Sequence, residues 1–319
     1  MDDHTLIRAR GLTRRYGPTV AVDGLDLTLR KGEILGLLGP NGAGKSTTMK
    51  MLTGCLAPSA GSVQIRGQDP FARPEAAKRH LGYMPEVPPV YPELTVDEYL
   101  RFAARLHGVP RGDRAEALAR AKTACGLDDM GRRLIGNLSK GYQQRTGLAQ
   151  AIIHNPDVIV LDEPTVGLDP IQIREIRALV TDLGREHSVL LSSHILPEIQ
   201  AVCDRVMIIA GGRVVYADSM AEAMRASFSS VIIGLREPPP ENELLALADV
   251  GRVERIDAQH FRLHCRTDSS ARDAWAAAAA RHDWGLFELR PELRTLEDIF
   301  VELTTGETGA ASPEREEAA

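Results

Sequence analysis

The sequence is poor in cysteine and aromatic residues and has no long apolar run, and each shortage excludes a class of protein. Its cysteines lie 70, 78 and 62 residues apart and form no C-x-x-C pair for metal or redox chemistry, so we expect buried free thiols at Cys55, Cys125, Cys203 and Cys265. Only 4% of residues are aromatic and the formal net charge is −6, which disfavours a basic nucleic-acid groove with stacking platforms. Runs such as residues 158–161 are far shorter than the roughly 20 apolar residues of a membrane-spanning helix.

The amino terminus lacks the features of a secretory signal. It begins Met-Asp-Asp-His, which is acidic, and no basic stretch with a long apolar segment follows. We therefore expect the protein to stay in the cytoplasm, and any work at a membrane to need another subunit that supplies the span. At 319 residues the chain is long enough for one large domain with an appendage, or for two medium ones.

Short β-like runs alternate with helical segments from residue 6 to about 216, a pattern typical of an α/β sheet. Several runs are apolar at every position, as expected of parallel strands that are covered on both faces. The predicted strands are residues 25–29, 34–38, 63–65, 158–161, 189–192 and 206–209. Gly211 and Gly212 then predict a two-residue hairpin turn.

The middle of the chain is almost wholly helical in pattern. Thr95 and Glu98 have the spacing of a capping box, and apolar residues follow on one helix face. Asp113 is placed to cap a second helix, and Ser139 a third. The pattern predicts a helical subdomain, about residues 93–155, inserted into the sheet domain.

After residue 217 the composition changes, and strands and helices follow in the order βαββαβ. The predicted elements are a strand at 231–235, a helix opening at Pro239-Pro240, strands at 253–256 and 261–265, a helix at 271–281 and a strand at 286–289. They predict a sheet domain over residues 1–222 and a small ferredoxin-like α+β accessory domain over 226–304. Thr295 is placed to cap a last amphipathic helix, and the polar tail 305–319 is predicted to be disordered.

Residues 39–47 read Gly-Pro-Asn-Gly-Ala-Gly-Lys-Ser-Thr and fit the P-loop pattern G-x-x-x-x-G-K-[ST] directly after an apolar run. Such a loop directs successive N–H groups, and the positive end of the following helix, at a phosphate. Lys45 would reach the β- and γ-phosphates of a nucleoside triphosphate, and the Ser46 hydroxyl would ligate Mg²⁺. The predicted phosphate-binding residues are Gly39, Pro40, Asn41, Gly42, Ala43, Gly44, Lys45, Ser46 and Thr47. A glycine-rich turn without function is the alternative, and chance seldom places all four fixed positions at a strand-to-helix junction.

The apolar run at 158–161 ends in two adjacent carboxylates, Asp162 and Glu163, which fits a Walker B segment. We expect Asp162 to hold Mg²⁺, directly or through water, and Glu163 to polarise the attacking water as a general base. Two solvated or helix-capping carboxylates are the alternative, which the P-loop pattern disfavours.

Residues 138–145 read Leu-Ser-Lys-Gly-Tyr-Gln-Gln-Arg and resemble the signature motif of ATP-binding-cassette (ABC) proteins. In that family the serine side chain and the glycine backbone hold the γ-phosphate of ATP bound to the other protomer. The resemblance gives these roles to Ser139 and Gly141, while Lys140 and Tyr142 replace the usual glycine and glutamine. Taken alone, the segment is an ordinary helix cap.

Other elements of the ABC family occur in the expected order. Tyr16 resembles the aromatic residue that stacks on adenine, Asp169 resembles the D-loop aspartate at the nucleotide, and His194 resembles the switch histidine that senses the γ-phosphate. Asp169 is also placed to cap a helix beginning at Pro170. Glu86 stands where most family members have a glutamine that ligates Mg²⁺ and couples the subunits. It keeps an oxygen ligand and adds negative charge near the metal.

The resemblance covers residues 5–220 strongly and 225–304 loosely, and it points to an exporter branch that includes gliding-motility-associated and multidrug-type ATPase subunits. It implies an ATPase that uses ATP and Mg²⁺, with Lys45, Glu163 and His194 as catalytic residues and Ser46, Glu86 and Asp162 as metal ligands. Two copies would close head to tail around two ATP molecules and drive transport, by resemblance export, through a separate integral membrane permease. The protein would then lie in the cytoplasm at the inner face of the cell membrane.

Two other functions stay open on the sequence. A soluble ABC ATPase could act on DNA or ribosomes, but Lys45 and Ser139 are only 94 positions apart, which leaves no room for a long coiled-coil arm. An ATP-binding regulatory module is the other function, and the presence of Glu163 and His194 disfavours it. For the accessory domain, dimer contact, regulation and simple packing are all open.

Overall fold

The computed structural model describes residues 4–225, 230–265, 272–292, 296, 300 and 301. The chain divides into two compact units, the first ending at Met220 and the second beginning at Ala221. Thr295, the predicted cap of a last helix, and the tail 305–319 lie outside the described residues. Within the described ranges, no helix combines the length and the apolar character needed to cross a membrane.

The first unit is built from strands and helices that mostly alternate. Its strands are β1 (Thr5–Tyr16), β2 (Thr19–Arg30), β3 (Ile34–Leu38), β4 (Ala60–Ile65), β5 (Leu81–Met84), β6 (Val158–Asp162), β7 (Ser188–Ser193), β8 (Arg205–Ala210) and β9 (Arg213–Ser219). The helices up to residue 225 are α1 (Lys45–Leu52), α2 (Pro74–Lys78), α3 (Val96–Leu106), α4 (Arg114–Cys125), α5 (Lys140–Ile152), α6 (Pro170–Gly184), α7 (Leu196–Val202) and α8 (Met220–Arg225).

The main sheet has the strand order β5-β6-β7-β3-β8-β9. The first five strands are parallel, and β9 pairs antiparallel with β8 across the predicted Gly211-Gly212 hairpin. Strands β3, β6 and β7 are buried at every position, which follows from their apolar and small residues, with the charged Asp162 only at the end of β6. The α/β sheet predicted from the sequence is therefore confirmed.

Strands β1, β2 and β4 form a second, antiparallel sheet in the order β2-β1-β4. The expectation that residues 25–29 and 63–65 belong to the α/β sheet is therefore wrong. The signal was present in β2, where Leu25, Leu27 and Leu29 are buried and the residues between them are less so, the alternation of a strand covered on one face. Helix α1 packs against strands of both sheets, so the P-loop helix is held in the core.

Helices α3, α4 and α5 are inserted between β5 and β6 and pack on one another. The capping box at the start of α3 is confirmed, because Thr95 Oγ1 accepts from the Glu98 N–H at 3.3 Å and Glu98 Oε2 accepts from the Thr95 N–H at 2.9 Å. The predicted Asp113 cap is wrong. Asp113 has φ −92° and ψ −10°, helical rather than extended, and among described residues its side chain makes no capping bond to α4.

The second unit has the predicted βαββαβ order. Its elements are β10 (Ser230–Leu235), α9 (Glu241–Leu245), β11 (Val250–Arg255), β12 (His260–Cys265), α10 (Arg272–Arg281) and β13 (Leu286–Glu292). The strands form one antiparallel sheet in the order β11-β12-β10-β13. A separate apolar core contains Phe261, Trp275 and Trp284, so this unit buries its own hydrophobic residues.

Gly82 in β5 lies directly against the backbone of α5. A Cβ atom at Gly82 would overlap the Ala151 carbonyl oxygen, and backbone atoms cannot rotate away as a side chain can. We expect Gly82→Ala to lower the free energy of unfolding of the first unit by about 1–3 kcal/mol. Urea titration measures this change. Circular dichroism is the signal to follow, because both tryptophans lie in the second unit and their fluorescence would not report on the first.

The matched control is Gly112→Ala. Gly112 is exposed, and no atom lies within 4 Å of where its Cβ would be, so this variant should unfold at nearly the wild-type urea concentration. Equal midpoints for both variants would show that β5 and α5 are not in backbone contact.

Candidate active site

The P-loop joins β3 to α1 by a tight backbone turn. Gly44 is the N-cap residue of α1 with φ 103°, a left-handed conformation that glycine adopts without strain. A Cβ atom at Gly44 would lie 2.5 Å from the Ala21 carbonyl oxygen, so the close approach of β2 also requires glycine. The first turn of α1 therefore borders a cavity, where its unpaired N–H groups favour an anion.

Lys45 is buried, although it is charged, and its ammonium is fully occupied by oxygen atoms. Its Nζ donates to the carbonyl oxygens of Gly39 at 2.8 Å and Pro40 at 3.1 Å. It also lies 3.1 Å from Glu163 Oε1, and both side chains are less than 10% exposed. The charge of each group is thus balanced locally by the other.

The two carboxylates at the end of β6 occupy different positions. Asp162 Oδ1 accepts from Ser46 Oγ at 3.2 Å and from Ser192 Oγ at 2.7 Å. Ser192 Oγ in turn accepts from the Glu163 N–H at 2.9 Å. Ser192, which lies beside Asp162 in the parallel ladder, therefore orients both acidic residues.

Ser192 was not among the predicted site residues. The signal that could have found it is the polar Ser192-Ser193 pair at the end of an otherwise apolar strand, next to the strand that carries Asp162.

Burial raises the pKa of the Tyr83 hydroxyl above its ordinary range, and the Asp162 carboxylate adds to the rise. The Tyr83 phenol accordingly stays neutral beside this strand end.

Glu163 is gripped from both sides. Its Oε2 lies 2.7 Å from Nδ1 of His194, while Oε1 faces Lys45. Its backbone has φ 49°, the left-handed region that costs a non-glycine residue roughly 1–2 kcal/mol. Lys45, Glu163 and His194 follow β3, β6 and β7, which are neighbours in the sheet, so three adjacent strand ends deliver the three side chains to one place.

A cavity of about 400 Å³ opens at these strand ends. Predicted site residues that line it are Asn41, Gly42, Gly44, Lys45, Ser46, Thr47, Glu86, Glu163 and His194. Ala21 and Val166 also line it and were not predicted. Asp162 does not line the cavity itself but bonds to Ser46, which does.

The remaining predicted residues lie outside the lining of this cavity: Tyr16, Gly39, Pro40, Ala43, Ser139, Gly141 and Asp169. Tyr16 is 47% exposed, and the Arg14 guanidinium lies 4.7 Å from its ring centre. Stacking of Tyr16 on adenine stays a prediction. Asp169 caps α6 as expected, accepting from the N–H groups of Ile171 and Gln172 at 2.9 Å each.

The signature segment forms a second surface. Ser139 is the exposed N-cap of α5 with extended backbone, as predicted, but the predicted side-chain cap is wrong, because among the described residues of the first turn its hydroxyl makes no capping hydrogen bond. A Cβ at Gly141 would lie 2.8 Å from Gln172 Oε1, so α6 approaches this glycine closely. The Lys140 ammonium lies over Gly167, where a Cβ would overlap it. One chain thus carries the Lys45–Glu163 pair at one place and the signature residues at another.

The family indicated by these motifs is also found by comparison with known proteins. A family model described as ABC transporter matches residues 22–166. The bacitracin transport ATP-binding protein of Bacillus licheniformis is 39% identical over 211 residues, 66% of this chain and 68% of that protein. A fluoroquinolones export ATP-binding protein of Mycobacterium tuberculosis is 40% identical over 220 residues, 68% of this chain and 72% of that protein.

The similarity extends into the second unit and to solved structures. The linearmycin resistance ATP-binding protein of Bacillus subtilis is 29% identical over 305 residues, 94% of this chain and 98% of that protein. A solved structure of the ATP-binding subunit of an ABC transporter is 30% identical, covers 69% of this chain and 92% of its own, and superposes with a TM-score of 0.63. This chain therefore belongs to the ABC transporter family, as an ATP-binding subunit that hydrolyses ATP.

Proposed function

We propose that two copies of this chain close head to tail around two ATP molecules, and that closure and hydrolysis power export through a separate membrane permease. The observation that carries the proposal is the separation of Ser139 and Gly141 from the cavity that contains Lys45, Glu163 and His194. Each chain presents two unlike halves, so a second copy can complete both. The relatives named for bacitracin transport and fluoroquinolones export support a transport role and favour export.

In the proposed reaction, Glu163 is the general base. Its carboxylate is paired with Lys45, whose ammonium the β- and γ-phosphates of ATP would attract more strongly than a single carboxylate does. When the Lys45 ammonium moves from Glu163 to the phosphates, Glu163 Oε1 becomes available to a water molecule. The water oxygen attacks the γ-phosphorus, its proton passes to Glu163, and ADP leaves.

His194 keeps this base in place during the exchange. The contact of its Nδ1 with Glu163 Oε2 at 2.7 Å does not involve the oxygen that faces Lys45, so one contact persists when the other changes. The opposite edge of the ring is available to sense the γ-phosphate. His194 would then report the state of the nucleotide to the base directly.

The residues at the cavity also fit Mg²⁺. Ser46, Glu86 and Asp162 supply only oxygen donors, which this hard cation prefers, and the Ser46 hydroxyl already bonds to Asp162. Bound there with the nucleotide, the ion would neutralise charge on the β- and γ-phosphates. We propose Ser46 and Asp162 as its main protein ligands and Glu86 as an added anionic one.

The permease places the protein at the inner face of the cell membrane in this proposal. The formal charge of −6 and the 4% aromatic content disfavour the alternative of a nucleic-acid partner. The names of the relatives agree with a transporter rather than with a DNA- or ribosome-directed ATPase.

Glu163→Gln should bind ATP but lower kcat by about 10² to 10⁴, because the amide cannot take the proton from water. The unhydrolysed nucleotide should hold the closed pair together, so analytical ultracentrifugation with ATP should show a dimer. Glu186→Gln, which removes an exposed carboxylate remote from the cavity lining, is the control and should retain wild-type turnover. Turnover by the Glu163 variant at the wild-type rate would remove Glu163 from the role of base.

Lys45→Ala should weaken ATP binding by about ten- to a hundredfold, the loss expected for one charge-assisted contact. Titration calorimetry at constant Mg²⁺ measures the affinity. Lys50→Ala is a matched control. Lys50 lies exposed on the same helix, and its substitution removes the same charge. Equal affinities of the two variants would argue that the nucleotide does not contact Lys45.

Copurification tests the permease. Tagged protein should elute from detergent-solubilised membranes with one integral membrane protein in stoichiometric amount. The complex should hydrolyse ATP faster than the isolated subunit. Elution with ribosomes or nucleic acid, and with no integral protein, would favour the alternative function.

A further inference from the structure

Beyond the residues at the cavity, a buried carboxylate lies behind it. Glu198 in α7 is only 2% exposed. Its Oε2 accepts two hydrogen bonds, from Thr165 Oγ1 at 2.7 Å and from Ser193 Oγ at 2.8 Å. Both hydroxyl groups belong to residues that are themselves buried. A nearby guanidinium, that of Arg177 in α6, lies 3.7 Å from the other carboxylate oxygen.

The hydroxyl donors of Thr165 and Ser193 lie beside the loops that carry Glu163 and His194. Thr165 is two residues after Glu163, and Ser193 is the residue before His194. One oxygen atom therefore ties the loop of the base to the loop of the switch histidine. The 2.7 Å contact between Glu163 and His194 depends on how these loops lie relative to each other.

The same loop is also held from the signature helix. Gln144 in α5 is 1% exposed, and its Nε2 donates to the Pro164 carbonyl oxygen at 2.9 Å. Pro164 and Thr165 are adjacent, so α5 and α7 grip the loop at consecutive residues. The segment after Glu163 therefore has little freedom to shift alone.

Stability alone does not account for Glu198. Removing a carboxylate from water is unfavourable, and an apolar residue of similar volume is often at least as stabilising. A carboxylate oxygen can, however, accept two hydroxyl groups at once with short, charge-assisted bonds, which fixes their spacing. The arrangement at Glu198 thus suits positioning rather than burial.

We propose that Glu198 is a positioning residue for ATP hydrolysis, which locks the loops of Glu163 and His194 in register through Thr165 and Ser193. The inference rests on the proposed role of Glu163 as the base. Loss of Glu198 leaves the P-loop contacts of Lys45 intact, because no bond of Glu198 reaches residues 39–47 in the described structure. The affinity for ATP and the rate of hydrolysis should therefore separate.

Hydrogen exchange of the nucleotide-free protein tests the lock without any turnover. The reporters are backbone amides of the two loops, Val166, which donates to the Glu163 carbonyl, and Ile195, which donates to Ser193 Oγ. In Glu198→Ala both should exchange at least about tenfold faster, while the amides of α1 keep their protection. Unchanged exchange at both reporters overturns the proposal.

Kinetics supply the second readout. Glu198→Ala should lower kcat by about tenfold or more and leave KM for ATP within about twofold, because small misplacements of a base are costly while binding is retained. Glu198→Gln, whose carbonyl can accept both hydroxyl groups, should recover most of the loss. The double variant Thr165→Val with Glu198→Ala should be no slower than Glu198→Ala alone, since both remove one lock.

Glu33→Ala is the matched control. Glu33 is another buried carboxylate of the first unit, bonded to Arg205 at the start of β8, away from the catalytic loops. It should lower stability and leave kcat unchanged. An equal loss of kcat in both variants, or no rescue by Glu198→Gln, would reduce Glu198 to a structural residue and overturn the proposal.

These outcomes also separate the two proposals. Wild-type turnover by Glu163→Gln removes the base, while faster exchange at Val166 and Ile195 in Glu198→Ala would still support the lock. Loss of turnover in Glu163→Gln with full kcat in Glu198→Ala keeps the base and overturns the positioning role.

Discussion

The contact of the Glu163 carboxylate with the Lys45 ammonium on one side and the His194 ring on the other is the interaction on which the site depends. It needs three strand ends at adjacent places, and the order β6-β7-β3 of the parallel sheet supplies them. The second sheet matters for the same reason. Its strands β1 and β2 pack against α1, the helix whose first residue, Lys45, is buried beside the carboxylate.

The cavity at the P-loop and the exposed signature segment are linked within one chain. Helix α5 begins at the exposed signature residues and, one turn later, Gln144 holds the loop that follows Glu163. Helix α7 holds the same loop through Glu198. The hydrogen bond from Gln144 to Pro164 thus joins α5 directly to the residue that follows Glu163.

Fixed-spacing motifs were predictable from the sequence because their spacing encodes one backbone geometry. The P-loop glycines, the carboxylates ending β6 and the Thr95 box are of this kind, and each is where the pattern placed it. The hydrogen-bond partner that a polar side chain chooses is harder to predict. The sequence does not say whether Asp113 enters α4 with extended or helical backbone, and the structure has the helical form. Likewise Ser192 bonds to Asp162, 30 residues away, and Glu198 bonds to Thr165, 33 residues away, and the sequence alone does not bring these pairs together.

The left-handed backbone of Glu163 has a conformational cost, which other contacts in the domain must offset. Glycine or asparagine would relax the main chain there, but neither carries a carboxylate. Either change would, however, leave the buried Lys45 ammonium without its carboxylate, a loss of about 3–5 kcal/mol that exceeds the roughly 1–2 kcal/mol of backbone strain relieved. Selection for thermal stability alone would therefore tend to retain Glu163, because the ion pair of this strained residue also stabilises the fold.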